Sequence, residues 1–113
     1  MIQQTAPAGS PITVAGALLD ASVLAIVQQG DTYGYALTQQ MKERVGVAES
    51  TVYPVLKRLE KDGSLWCYDV PTDGRNRRYY ACTDLGRAKL AVLVNEWDGF
   101  KKMIDSVFHQ EKS

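Results

Sequence analysis

The sequence is short of the residues that most chemistry needs. Its 113 residues hold one histidine, two cysteines and no net charge. The single histidine, His109, falls in a stretch expected to fray. No Ser/His/Asp set, Cys/His pair, HExxH or phosphate-cradling glycine loop accompanies it, so an enzyme is not expected. Cys67 and Cys82 form no CxxC pattern, which removes a metal site and a secreted disulfide framework. No metal and no cofactor are expected. No apolar run approaches the length of a membrane span, and the N-terminus lacks a basic-then-apolar leader. No membrane partner is expected, and the cytoplasm is the expected compartment. A zero net charge also withholds the global basic signal of many nucleic-acid binders.

What is present is a globular composition, 45% hydrophobic and 23% charged, in a length that suits one domain. The charge is unevenly spread. Residues 1–41 carry only Asp20 and Asp31, whereas residues 42–87 hold 9 Lys/Arg against 7 Asp/Glu. Arg75, Arg77 and Arg78 crowd into four positions. A local basic patch, not net charge, is what a nucleic-acid footprint requires.

Ala48 to Gly63 organises the chain. Val52, Val55, Leu56 and Leu59 recur at i, i+3, i+4 and i+7, one face of an amphipathic helix. The opposite face carries Ser50, Pro54, Lys57 and Lys61, flanked by Thr51, Tyr53 and Arg58, with no acid among them. Gly63 supplies a left-handed stop. Such a helix suits a major groove, although in isolation it also suits a solvated surface.

Met1 to Thr13, with Pro7, Gly9, Ser10 and Pro11, reads as a flexible arm. Val14 to Gln29 is a helix apolar nearly all round, so two surfaces must bury it. Thr32 to Arg44 is a second helix, with Asp31 or Thr32 as N-cap. The turn Val45–Ala48 then leads into the helix of the opening pattern, a helix-turn-helix arrangement. Leu65–Pro71 and Arg77–Thr83 read as a β-hairpin around turn residues Thr72–Asn76. A helix-turn-helix followed by a hairpin with a basic tip is a winged helix. Taking the hairpin as regular about position 74.5 sets Cys67 opposite Cys82, a geometry that admits a redox disulfide, although buried free thiols in a reduced cytoplasm are the expected state. Arg58 is expected to pair with Asp62 at i+4.

Thr83 and Asp84 open a last helix reaching Gln110, roughly 40 Å at 1.5 Å per residue. Leu90, Leu93, Trp97, Phe100, Ile104 and Val107 are spaced 3, 4, 3, 4, 3, an a/d seam with Val94 and Met103 alongside. So long a stripe argues for a contact between two copies of the chain. The expected organisation is an arm (1–13), a winged helix-turn-helix (14–83) and a dimerisation helix (84–113), mostly α with a small β-hairpin.

Tyr33-Gly34-Tyr35, the run Ser50 to Gly63 and Arg77-Arg78-Tyr79-Tyr80-Ala81-Cys82-Thr83-Asp84-Leu85-Gly86 together resemble the PadR family of bacterial transcriptional regulators. The likeness covers about Leu18 to Val107, and its single C-terminal helix looks like the short subfamily. It departs at Ala48-Glu49-Ser50, where many members carry Ser-Pro-Gly; this places a carboxylate near phosphates. The resemblance implies a homodimer that binds a pseudo-palindromic double-stranded operator and represses, released by a small effector. One member stacks flat aromatic compounds between paired tryptophans of its last helix, a position Trp97 matches; another branch answers to phenolic acids.

On this reading Ser50, Thr51 and Tyr53 reach bases or phosphates, with Tyr35 beside them. Lys57 contacts phosphate, and Arg75, Asn76 and Arg77 clamp the flanking backbone. Tyr53 is equally suited to packing. An effector site at the dimer seam would be lined by Trp97, Leu93, Val14, Ala17, Leu18 and Ala21, with Asp20 as a polar or cation-attracting wall; alternatively Trp97 simply fills the interface. The rival from another class is a winged-helix module that binds protein and neither DNA nor ligand.

Overall fold

The computed structural model describes residues 15–110. The expected arm and Val14 lie outside this range. The elements run α1 (Gly16–Gln28), β1 (Thr32–Tyr33), α2 (Gly34–Arg44), α3 (Glu49–Lys61), β2 (Leu65–Thr72), β3 (Arg75–Cys82) and α4 (Asp84–Phe108). The three strands form one antiparallel sheet in the order β1-β3-β2.

One core holds the first three helices to the sheet. Leu19, Val23, Leu24, Ile26 and Val27 of α1 meet Leu37 and Met41 of α2 and the Val52–Val55–Leu56–Leu59 stripe of α3. Leu65 and Tyr80 close it from the sheet, and Leu90 from the first turns of α4. The helical periodicity of α3 therefore assigns its faces correctly: the apolar stripe is inside, and Ser50, Thr51, Pro54, Lys57 and Lys61 are exposed. Pro54 has no N–H, so the Ser50 carbonyl one turn earlier lacks its usual i+4 donor on the exposed face.

The end of α3 is a Schellman motif. Ser64 N–H donates to Leu59 O at 2.9 Å and Gly63 N–H to Glu60 O at 3.2 Å, while Gly63 takes φ +86°. Thr83 then ties this corner to α4. Its N–H donates to Ser64 O at 3.1 Å. Its Oγ1 lies 2.6 Å from Gly63 O and accepts from Gly86 N–H at 3.0 Å. The expected N-cap of the last helix is thus also the latch between wing and helix.

Three local expectations are corrected. The second helix begins at Gly34, not Thr32. Thr32 and Tyr33 pair with Tyr80 and Tyr79 as a short strand, which moves the N-cap position to Tyr33; neither Thr32 nor Asp31 caps α2, and the Asp31 carboxylate instead accepts from the Tyr68 hydroxyl at 2.6 Å. The hairpin is centred one residue earlier than symmetry about 74.5 suggested. A two-residue turn, Asp73 (φ +48°) and Gly74 (φ +80°), sets Thr72 opposite Arg75. Cys67 consequently faces Tyr80 and Cys82 faces Leu65. The two thiols are diagonal neighbours, about 7–8 Å apart in backbone terms, too far for the roughly 3.8 Å Cβ separation of a disulfide. Finally, Arg58 does not pair with Asp62. It reaches Asp20 on α1, while Asp62 binds Lys89 of α4 at 2.9 Å.

Candidate nucleic-acid interface

Two open grooves flank Tyr53. One, of about 550 Å³, runs between the start of α2, Tyr53 and the wing, and is lined by Tyr33, Tyr35, Arg75, Asn76, Arg77 and Arg78 among others. The other, of about 600 Å³, lies between the outer face of α3 and β3, with Pro54, Lys57, Glu60 and Arg78 on its walls. Tyr53 is 43% exposed and borders both. Its hydroxyl is held protonated above the usual tyrosine range, first by burial and then by the Glu49 carboxylate one turn earlier. It is therefore a donor at the centre of the face.

The cations around it differ in availability. Arg78 pairs with Glu60 at 2.9 Å, so it braces the wing against α3. Arg75, Arg77 and Lys57 form no ion pair among the described residues. The Arg77 guanidinium stacks 4.4 Å above the Tyr33 ring, which orients it without neutralising it. Tyr33 in turn packs on Tyr79, which stacks on Tyr68 and so on to Trp66. The outer face of the sheet is thus an aromatic row that stiffens the wing.

Both helix N-termini beside these grooves lack side-chain caps. Ala48 and Tyr33 accept no bond through their side chains. Their first N–H groups and the positive ends of the helix dipoles are left for an external acceptor, on the same side as Lys57, Arg75 and Arg77. Gly34 faces this corner, where a Cβ would make ordinary van der Waals contact with the Tyr53 ring at 3.7 Å and the Tyr80 ring at 3.8 Å.

The structure brings together Tyr35, Tyr53, Arg75, Asn76 and Arg77 in one groove and places Lys57 in the next; Ser50 and Thr51 are exposed beside them on α3. Sequence reasoning missed Tyr33 and Glu60. A Thr-Tyr pair with strand propensity just before Gly34 was the available sign for the first.

A third groove, of about 200 Å³, lies between α1 and α4, lined by Ala15, Ala17, Leu18, Leu93, Glu96, Trp97 and Phe100. Ala17, Leu18, Leu93 and Trp97 were expected here. Asp20 was not correctly placed. It is buried against Arg58 and within 3.5 Å of Lys89, away from this groove. Ala21 packs on the core. Along the last helix, Leu90 is only 6% exposed and belongs to the hydrophobic core rather than to an exposed seam. Leu93 and Ile104 are half-buried. Trp97, Phe100 and Val107 are 38%, 54% and 63% exposed, an apolar stripe left open to this extent among the described residues.

The comparisons with known proteins decide the family. A model of the transcriptional regulator PadR-like family matches residues 23–92. The chain belongs to the PadR-like family of transcriptional regulators. Membership makes it a transcription regulator rather than an enzyme. This PadR-like regulator is similar to the crystal structure of smu.1704 from Streptococcus mutans UA159, with a TM-score of 0.80 and 39% identity over 91% of this chain and 97% of that one. It is 43% identical over 61 residues to transcriptional regulator Rv3488 of Mycobacterium tuberculosis, spanning 53% of this chain and 57% of that protein. It shares the fold of Bacillus subtilis PadR, solved in complex with operator DNA, at a TM-score of 0.62 and 23% identity over 67% of this chain and 46% of that one. The four helices and three-stranded wing are the winged-helix fold of this family. Among the described residues no helix is long and apolar enough to cross a membrane.

Proposed function

We propose that this PadR-like regulator works in the cytoplasm as a homodimer that binds a pseudo-palindromic double-stranded operator and represses transcription. A small planar aromatic effector bound at the dimer seam releases it. Residues 14–83 are the DNA-binding unit and 84–113 the dimerisation unit. The observation that carries the DNA reading is the convergence of Lys57, Arg75 and Arg77, none with an acidic partner among the described residues, on the two grooves flanking Tyr53. Each α3 enters a major groove, where Ser50, Thr51 and Tyr53 offer hydrogen bonds to base edges or phosphates. Arg75, Asn76 and Arg77 lie along the flanking backbone, and the uncapped starts of α2 and α3 receive phosphate oxygens. With no arginine or asparagine at the start of α3 to read bases, specificity rests partly on DNA shape. The operator complex of Bacillus subtilis PadR, a protein of the same fold, supports the mode of binding.

The dimer reading rests on α4. Trp97, Phe100, Met103 and Val107 expose large apolar side chains in a line, which a second copy would cover by a two-fold contact. The effector acts by shifting the dimer between wing spacings that fit and do not fit successive major grooves.

A gel-shift titration with the upstream region of the protein's own gene tests this. A shifted complex containing two chains, weakened by Lys57→Ala and by Arg75→Ala, is expected. No shift at low salt, or one indifferent to both substitutions, would leave the winged helix as a protein-binding module. Sedimentation without DNA should return the mass of two chains; a monomer would remove the dimer.

A further inference from the structure

Glu49 is an acid on the recognition surface that the DNA reading leaves without a task. It is the first residue of α3 and is exposed. At about 100° per residue it shares a flank of the helix with Tyr53 and Glu60, beside the outer face of Ser50, Pro54, Lys57 and Lys61. That flank is turned to the wing, since Tyr53 borders both wing grooves and Glu60 pairs with Arg78 of β3. Glu60 is neutralised by that pair. Glu49 forms no ion pair among the described residues, and its neighbours at i+3 and i+4, Val52 and Tyr53, bring no cation. Burial first, and then the Glu49 carboxylate, keep the Tyr53 hydroxyl protonated one turn along. The two polar groups stand side by side at the leading end of the helix. A carboxylate accepts about four hydrogen bonds, so a neighbouring hydroxyl can orient it without using it up.

A carboxylate in a major groove has few groups it can meet. Phosphates repel it. Guanine N7 and O6, adenine N7 and thymine O4 are acceptors, as it is. Two donors remain, the amino groups of cytosine N4 and adenine N6. They are not equivalent. In an A·T pair the N6 amino group lies between adenine N7 and thymine O4, both acceptors. In a C·G pair the N4 amino group has guanine O6 on one side and only the C5 hydrogen on the other. A carboxylate therefore meets one repelling neighbour at cytosine and two at adenine. The hydroxyls of Ser50, Thr51 and Tyr53 both donate and accept, so they select bases weakly; Glu49 accepts only. Where no amino group meets it, its charge faces acceptors or phosphates and weakens the complex, which discriminates against the wrong sequence.

We infer that Glu49 is a specificity-determining residue of this regulator, accepting a hydrogen bond from the N4 amino group of one cytosine in each half-site. This rests on the placement of α3 in the major groove proposed above. A glutamate in the first turn also favours the helix dipole. That role alters stability and leaves base preference untouched, so preference at a defined position is the quantity to measure.

The test uses the full-length protein and a labelled duplex from the upstream region of its own gene. The duplex is competed, at one fixed salt concentration, by duplexes in which each base pair is replaced in turn in both half-sites. With the wild-type protein, replacing one C·G pair by any other should weaken binding about tenfold per half-site. Glu49→Ala should lose the preference at that position and keep those elsewhere. It should also bind an unrelated duplex about two- to fivefold more tightly, because one repelling charge has gone. Glu49→Gln should bring the ratio of cytosine to adenine at that position toward one, since a side-chain amide pairs with adenine N6 and N7. A Glu49→Ala protein that keeps every wild-type preference, or loses one where the wild type does not select cytosine, overturns the role of Glu49. So does a cytosine-to-adenine ratio unchanged in Glu49→Gln. In these cases binding that still depends on Lys57 and Arg75 leaves the DNA interface standing. Absence of binding to any duplex by the wild type at low salt overturns the DNA reading and this inference with it.

Discussion

Replacing Gly86 with alanine should destabilise this protein although the position is helical. In an exposed helix interior the same change stabilises by about 1 kcal/mol, because glycine is a poor helix former. Gly86 sits in the first turn of α4, where its backbone presses on the corner between α3 and the wing. A Cβ there would stand 2.2 Å from the Ser64 carbonyl oxygen and 3.0 Å from Cys82 Sγ, the first more than about 1 Å inside van der Waals contact. Relief requires moving the Ser64 carbonyl. That carbonyl accepts from Thr83 N–H at 3.1 Å and lies 3.0 Å from Thr83 Oγ1, so the move disrupts the latch holding α4. Two hydrogen bonds at about 1 kcal/mol each, with about 1–3 kcal/mol of overpacking strain, outweigh the propensity gain of about 1 kcal/mol. The net loss is about 2–4 kcal/mol. In urea, at one fixed protein concentration because dimerisation would contribute to stability, the midpoint should fall by roughly 1–2 M. A midpoint unchanged or raised by Gly86→Ala would refute the close approach of α4 to Ser64.

Two further predictions concern the ion network and the thiols. Burial pushes the Asp62 carboxyl up, but hydrogen bonds from Ser64 and Lys89 outweigh it and hold the group below its usual range. A carboxyl depressed in the folded state stabilises above its unfolded pKa and loses that contribution as pH falls through the folded value. The hydrogen bond to Asp62 conversely raises Lys89, whose contribution is present below its unfolded pKa and lost as pH rises through the folded one. Asp62→Asn should therefore lower stability near neutral pH, with the difference from wild type starting to shrink at about pH 4 and disappearing as the pH falls through the lower folded value. With the Asp62 side chain 40% exposed, the effect should stay under about 1 kcal/mol; a difference constant down to pH 3 would contradict the pairing. Burial likewise raises the thiol pKa of both Cys67 and Cys82. Both should react slowly with a disulfide reagent at neutral pH and promptly in guanidinium, and diamide should produce no intramolecular bridge.

Periodicity carried most of the fold, since the α3 stripe and the wing both follow from spacing alone. What spacing cannot supply is the partner of a long side chain. Arg58 has Asp62 one turn away, yet Asp20, 38 positions earlier in the chain, lies in the crease between α1 and α3 and wins it. Leu90 fits the seam of α4 as well as Phe100 does. Only the docking of the first turns of α4 on the core divides that stripe into an inward beginning and an exposed remainder. The wing register turned on a single choice, a two-residue Asp-Gly turn in place of a longer one, and that choice decided which residue faces Cys67. Thr32 and Tyr33 became a strand because β3 offers them an edge, which no local pattern shows.

The central claim is that α3 and the wing hold DNA through Lys57, Arg75 and Arg77. The direct measurement is the salt dependence of binding to a labelled duplex from the upstream region of the protein's own gene. Three phosphate contacts per protomer in a two-fold complex predict log K falling against log salt with a slope of about −5. Arg75→Ala should make that slope shallower by about 2, one contact per protomer, and weaken binding to all sequences alike. An Arg75→Ala slope identical to wild type, or no binding at the lowest salt, would contradict the account.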